Sequence, residues 1–271
     1  MPRGPVEKPQ AQIFRRVRCL RLNKPDPPMR TLLTATAAAS VLAAASFLTA
    51  ACGSLGGAKM VGDGPVVNDE RMLTSFDEID NSTSADVTVV RGPEQRVVVN
   101  APSDLQPYLV TEVKGDKLTI ETSGSYSTRA EYSVDVTVAE LEAFTVDGSG
   151  DVTISGFDGG KLALAIDGSG DVDVRDVEYD RLTISVDGSG DTRLAGGGDE
   201  LEVAIDGSGG VDAYDFPVDA AEVTVKGAGD VRVRADADLK IKIDGSGDVF
   251  YRGNPNLQLE DKGSGEARQD N

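Results

Sequence analysis

The chain has 271 residues, which is enough for one large domain or two small ones. It contains no histidine and no tryptophan, and its formal net charge at pH 7 is −19. Because histidine is the commonest general base and metal ligand, its absence disfavours hydrolytic triads and ordinary zinc sites. The acidic charge argues against nucleic acid as a partner, since phosphates would be repelled.

The first 52 residues differ in composition from the rest of the chain. A basic start leads into an uncharged stretch rich in alanine and leucine at 31–51, and Cys52 follows it directly. This order predicts a secretory signal. The stretch "LTAAC" at 48–52 resembles a bacterial lipobox, and the resemblance implies that a signal peptidase cuts before Cys52, which is then lipidated.

Two alternatives to lipidation stay open: a cleaved signal followed by an ordinary free cysteine, and an uncleaved membrane anchor of 21 residues. All three interpretations place the rest of the chain outside the cytoplasm. The lipid-anchored form would lie on the extracytoplasmic side of the cell membrane. We predict Met29 to be the true start, with 1–28 as an upstream extension; a long basic leader is the alternative.

Removal of residues 1–52 leaves a strongly acidic domain without disulfides. The removed segment holds 8 Lys and Arg and 2 Asp and Glu, so 19 bases and 44 acids remain, for a net charge of −25. Both cysteines, Cys19 and Cys52, lie within 1–52. The glycine-rich residues 53–65 predict a flexible tether, and 66–271 predict the folded domain.

Residues 66–141 alternate apolar and polar side chains in short stretches, which predicts strands. We expect early coils or hairpins here that continue the sheet of the later residues and cap its N-terminal end. The irregular segment 123–131, "SGSYSTRAE", is the best candidate for a special loop, with Tyr126 and Arg129 able to contact a ligand. An exposed hairpin loop without that role is the alternative.

From residue 144 onwards a Gly-x-Gly turn recurs every 18 to 20 residues, which indicates a repeat architecture. Apolar residues stand two, four and six positions before most of these turns with polar residues between them, a period of two that predicts strands with one buried face. Since one coil cannot bury its face alone, the coils must stack. The predicted fold is all-β, a single-stranded parallel β-helix with coils of about 18–20 residues.

The glycines of the repeated turn are predicted to form the corner of each coil. We attribute them to a corner that needs a positive φ, which glycine adopts without steric cost. The predicted turn-forming residues are Gly148, Gly150, Gly168, Gly170, Gly188, Gly190, Gly207, Gly209, Gly227, Gly229, Gly245 and Gly247.

Three stretches carry a family resemblance: "MLTSFDEIDNSTSADVTVV" at 72–90, the repeated "DGSGDV", and "FYRGNPNLQLEDKGSGEARQ" at 250–269. They are similar to the family called the "putative auto-transporter adhesin head" or GIN domain, over roughly residues 69–269. The resemblance implies a β-helix and an adhesin-like role. It implies no catalytic residues.

Most turns place one acid before the first glycine and another after the second, although Lys226 and Lys262 stand in the first column, and three interpretations compete. The acids are solvated scaffold that accepts backbone N–H bonds; they bind Ca²⁺ between coils; or they form a face for cationic ligands or wall components. The Ca²⁺ candidates are Asp147, Asp151, Asp167, Asp171, Asp187 and Asp191.

The acids recur with the repeat, whereas an active site normally interrupts a repeat, so the sequence predicts no enzyme. The predicted function is that of an exported, lipid-anchored, adhesin-like binding protein of the cell envelope. Its expected partners are the membrane, through the N-terminal lipid, and an unidentified envelope or surface ligand. The alternatives are a passive structural protein that self-assembles as a homo-oligomer, and a Ca²⁺-stabilised carbohydrate-binding module; no other cofactor is expected.

Overall fold

The computed structural model describes residues 60–270, and these residues are almost entirely β-structure. The predicted signal, Cys52 and residues 53–59 of the tether lie outside the described residues. Apart from a single 3₁₀ turn at Gln106–Tyr108, all regular structure is in strands: β1 (Met60–Gly62), β2 (Val66–Arg71), β3 (Glu78–Asn81), β4 (Asp86–Arg91), β5 (Arg96–Pro102), β6 (Leu109–Lys114), β7 (Lys117–Thr122), β8 (Tyr126–Thr128), β9 (Ser133–Val138), β10 (Ala143–Val146), β11 (Val152–Ser155), β12 (Lys161–Ile166), β13 (Val172–Val186), β14 (Thr192–Ile205), β15 (Val211–Val225), β16 (Val231–Ile243), β17 (Val249–Arg252), β18 (Asn256–Asp261) and β19 (Ala267–Gln269).

From β10 onwards each strand pairs in parallel with the corresponding strand of the next coil. Leu164 of β12 lies between Phe144 of β10 and Ile184 of β13, and all three side chains are buried. Identical aliphatic positions therefore lie above one another at the strand spacing of about 4.8 Å. The predicted parallel β-helix is confirmed.

Each repeat coil has two segments that concern the function. The first segment precedes the glycine bend, as in Lys161–Ile166, and turns Leu162, Leu164 and Ile166 inward. The second segment follows the bend, as in 172–175, and turns Val172 inward and Asp173 outward. We call the outward sides of these segments the first face and the second face.

The N-terminal coils are not stacked in chain order. Strand β3 pairs with β7 on one side and β10 on the other, and β4 pairs with β9 and β11. The coil that comes first in the chain therefore lies between the β7–β9 coil and the β10–β11 coil. After β4 the chain forms antiparallel strands: β5 pairs with β9, β6 pairs with β7, and β2 covers β5.

The two ends of the described solenoid differ in how their strand edges are covered. At the N-terminal end of the described residues β1 pairs with β8. At the other end β18 pairs with β16 on one side, and Leu257 and Leu259 are exposed by 41% and 49%. Within residues 60–270 no helix is long and apolar enough to cross a membrane.

Candidate functional site

The glycine bend follows from how closely successive coils approach each other. None of the twelve predicted turn glycines has a positive φ, so the conformational reason given for them is wrong. A Cβ on Gly168 would lie 1.9 Å from the carbonyl oxygen of Gly148 in the preceding coil, and across the twelve this distance is 1.7 to 2.1 Å. Glycine is required because the backbone of one bend rests on the backbone of the bend before it.

The first bend in the chain does without glycine. Thr83 and Ala85 occupy the positions of Gly148 and Gly150. The coil on the opposite side, β7–β9, has no tight bend at this place. In the β3–β4 coil four residues (82–85) connect the two paired segments, whereas in the β7–β9 coil twelve residues (121–132) connect them. No tight bend packs against Thr83 and Ala85 from that side, so both positions have room for a Cβ.

Asn81 holds this first bend together, and sequence reasoning missed it. It is fully buried in the column that Val146 continues. Its side-chain N–H donates to the Ala85 carbonyl at 3.2 Å, and its Oδ1 accepts from the Thr83 backbone N–H at 3.1 Å and the Thr83 hydroxyl at 2.7 Å. The local signal was asparagine directly before "STS", since asparagine commonly bonds the backbone of its own turn.

The acids after the second glycine form a hydrogen-bonded ladder along the solenoid. The Asp171 backbone N–H donates to Asp151 Oδ1 at 3.0 Å, and the Asp191 N–H donates to Asp171 Oδ1 at 2.8 Å. The ladder begins at Asp86, whose Oδ1 accepts from the Asp151 N–H at 3.0 Å. It has a gap at Gly210, which carries no carboxylate for the next coil. Each of these acids thus satisfies a backbone donor in the following coil, as the scaffold interpretation describes.

The acids before the first glycine are exposed, and they stack without accepting a backbone N–H of the next coil. Partial burial raises the pKa of Asp167, and the neighbouring charges of Asp147 and Asp187 raise it further. Like charges opposite each other on adjacent strands destabilise a sheet. Further along the same column Lys226 and Lys262 replace aspartate, which relieves the repulsion there.

The described residues do not gather these acids into a metal centre. Within 60–270 no group of three or more acidic or cysteine side chains is arranged to hold a metal ion. One oxygen of Asp151 and one of Asp171 are already engaged by backbone N–H groups. Ca²⁺ binding at the six candidate aspartates stays a prediction.

A groove of about 620 Å³ runs along the bend and the second face, and we call it the corner groove. Such a volume is typical of ligand sites. The ladder acids line one side. The second face contributes Thr153, Asp173, Arg193, Asp212 and Arg232.

The arginines of the corner groove are not committed to ion pairs. Within the described residues neither Arg193 nor Arg232 has a carboxylate oxygen within 4.0 Å, whereas the neighbouring Asp173 pairs with Arg175 at 3.4 Å. The Arg232 guanidinium lies 5.5 Å from the centre of the Phe250 ring. Exposed guanidinium groups of this kind offer several N–H donors in a fixed plane to a ligand.

The segment 123–131 lies beside a second, more open cleft of about 810 Å³ at the N-terminal end. Tyr126 and Arg129 both line it, so the structure brings these two predicted residues together. The Tyr126 hydroxyl hydrogen-bonds that of Tyr132, whose pKa is raised by burial. Because β8 within this segment pairs with β1, the segment is also part of the capping structure.

Comparison with known proteins identifies the family. Residues 75–255 match the family model described as "Putative auto-transporter adhesin, head GIN domain". The chain belongs to this family. The resemblance inferred from the sequence is thereby confirmed. Among curated proteins, none matches the chain.

Several solved structures share the fold of this GIN domain. A "putative adhesin" from Bacteroides fragilis is similar with a TM-score of 0.73 at 21% identity, covering 78% of this chain and 100% of that one. One from Parabacteroides distasonis has a TM-score of 0.63 at 24% identity, covering 78% and 100%. A "Putative lipid binding protein" from the same species has a TM-score of 0.61 at 24% identity, covering 79% and 100%. At these identities the similarity shows the fold alone.

Proposed function

We propose that this GIN domain protein is exported, anchored to the outer side of the cell membrane by a lipid on Cys52, and acts as a non-catalytic, adhesin-like binding protein of the cell envelope. The observation that carries the binding role is the corner groove, with Arg193 and Arg232 uncommitted to any carboxylate of the described residues. The family description as an adhesin supports the same role. The signal and lipobox at 31–52 support export and anchoring.

The binding role is tested with cell-wall sacculi prepared from a bacterium. The full-length protein in detergent should sediment with the sacculi, and the double variant Arg193→Gln/Arg232→Gln should lose at least tenfold in retention. Arg181→Gln on the first face is the matched control and should bind as the wild type does. Equal retention of all three proteins, or no retention of any, would contradict a binding role for the groove.

Lipid anchoring is tested by metabolic labelling with a fatty-acid analogue in a bacterial host. The wild-type chain and Cys19→Ser should incorporate the label, and Cys52→Ser should not. Labelling of Cys52→Ser at the wild-type level would exclude Cys52 as the lipidation site.

Two alternatives have specific support. The exposed Leu257 and Leu259 on β18 favour a passive structural protein that self-associates at its C-terminal end. Multimers seen by light scattering and lost in Leu259→Asp would support assembly.

The crowded carboxylates of Asp147, Asp167 and Asp187 favour Ca²⁺ as a stabilising ion for a carbohydrate-binding module. A rise in melting temperature at micromolar Ca²⁺ would support it, and no shift would leave these acids as scaffold.

A further inference from the structure

The second face repeats its chemistry once per coil along the corner groove. Asp173, Arg193, Asp212 and Arg232 are register partners in four successive coils. Thr153 precedes them and Phe250 follows them in the same column. Because adjacent parallel strands lie about 4.8 Å apart, this column presents one planar or hydroxyl-bearing side chain roughly every 4.8 Å.

The aspartates of this column are held by neighbouring groups, and the column residues form no ion pairs with one another. Asp173 is held by Arg175, and Asp212 Oδ1 accepts the Tyr214 backbone N–H at 3.3 Å. The two arginines between and beside them form no ion pair within 4.0 Å in the described residues. The groove therefore offers alternating acceptors and donors whose second oxygen or free N–H groups face solvent.

Aromatic side chains lie beyond the groove, towards the C-terminal coils. The Phe250 ring lies beside Arg232. On the adjoining outward column the Arg252 guanidinium stacks 3.9 Å from the centre of the Tyr214 ring, and the Tyr214 hydroxyl donates to Asp270 Oδ2 at 2.9 Å. The combination of flat aromatic surface and fixed bidentate polar groups suits a ligand with apolar C–H faces and many hydroxyls.

Charge disfavours the main competing ligands. A polyanion would be repelled by a domain whose net charge is −25 once residues 1–52 are removed. The groove is lined by six aspartates and by Arg193 and Arg232, so it presents both signs of charge. It matches neither a uniform polycation nor an apolar segment, which would bury charged side chains without partners. A neutral glycan meets none of these penalties, and a sugar of an extended chain has about the length of one coil spacing.

We infer that the corner groove binds a neutral linear polysaccharide that runs along the solenoid axis, with successive sugars on successive coils. The inference rests on the proposed binding function and names its ligand class. The second-face residues that line the groove run from Thr153 to Arg232 over five coils, so the groove accommodates about five sugars.

The experiment titrates the full-length protein in detergent with cello-oligosaccharides and chito-oligosaccharides of two to eight sugars, followed by isothermal titration calorimetry. At least one of the two series should bind, with affinity rising up to about five sugars and then levelling off. Arg193→Gln and Arg232→Gln should each weaken binding about tenfold, and Arg181→Gln should not. Melting temperatures of the variants confirm that they fold.

Three results would overturn the inference. Retention on sacculi that depends on Arg193 and Arg232, without binding of either oligosaccharide series, would leave the binding function standing and reject the neutral glycan. Oligosaccharide binding that is unchanged in both arginine variants would place the site elsewhere. Binding to vesicles containing anionic phospholipid, lost in Arg232→Gln, would assign the groove to lipid headgroups instead.

Discussion

The repeat coils and the first coil make the same corner by different means. In the repeats, Gly168 and Gly188 each rest on the glycine one coil earlier, and a side chain on either would collide with its carbonyl oxygen. In the first coil, Thr83 and Ala85 carry side chains and Asn81 closes the bend through hydrogen bonds. The comparison shows that the recurrence of glycine is caused by stacking: a bend needs glycine only where another tight bend lies against it.

The largest expected effect breaks this stacking. Gly188→Ala places a Cβ 2.0 Å from the Gly168 carbonyl oxygen and should lower the free energy of unfolding by about 3 kcal/mol or more. Gly197→Ala is the matched control, because its Cβ would meet no atom closer than 3.8 Å and its φ is not positive. Chemical denaturation measures both. Similar losses in the two variants would show that close approach is not what selects glycine in the bend.

A smaller change in stability is expected at the hydrogen-bond ladder, where two variants of Asp171 distinguish the need for an acceptor from the need for a negative charge. Asp171→Ala removes the acceptor of the Asp191 N–H and should cost about 1 kcal/mol in unfolding free energy. Asp171→Asn keeps an oxygen in the same place and removes the charge, so its stability should match or exceed that of the wild type. If asparagine destabilised the protein as much as alanine does, the negative charge and not the acceptor would be the requirement.

A gain of similar size is expected where the repeat column is broken by a hydroxyl. Thr192 is 2% exposed, its Oγ1 has no hydrogen-bond partner, and its register partners Val172 and Val211 are valines. Thr192→Val should therefore raise the unfolding free energy by about 1 kcal/mol. The half-exposed Thr183→Val serves as control and should change stability less. A loss of stability in Thr192→Val would indicate that its hydroxyl has a partner.

The smallest effect depends on pH. The pKa of Asp167 is raised above the ordinary value of 3.8 by burial and by Asp147 and Asp187, so the folded state binds its proton more tightly than the unfolded state does. Its unfavourable contribution is therefore absent at low pH and grows as pH rises through the raised pKa. Asp167→Asn should raise the melting temperature at pH 7 and leave it unchanged at pH 3. The same gain at both pH values would exclude a charge effect.

The sequence predicted most of the repeat region, because there the buried and exposed positions alternate without interruption. Leu164, Ile184 and Val203 lie in one buried column as the pattern required. The glycines were found but their cause was not, since backbone contact between coils leaves the same glycine pattern as a positive φ. The ladder role of Asp151 and Asp171 was one of three open interpretations, because residue type alone does not show which donor a carboxylate meets.

The order of the N-terminal coils could not be predicted from the sequence. Strands β3, β7 and β10 carry the same alternation, so each is compatible with either neighbour. The insertion of β3 between β7 and β10 depends on the long-range path of β5 and β6, which the local pattern does not encode. Likewise the corner groove joins residues from several coils, and neither Arg193 nor Arg232 belongs to the repeated motif.

Cross-linking tests the inserted coil most directly. Asp80 is the register partner of both Thr119 and Thr145, and adjacent strands bring Cα atoms within the range of about 4.4–6.8 Å that a disulfide needs. In a chain with both native cysteines changed to serine, the pairs Asp80→Cys/Thr119→Cys and Asp80→Cys/Thr145→Cys should each form a disulfide on mild oxidation, and Thr119→Cys/Thr145→Cys should not. A disulfide in the last pair together with none between positions 80 and 145 would mean that the coils stack in chain order, contrary to this account.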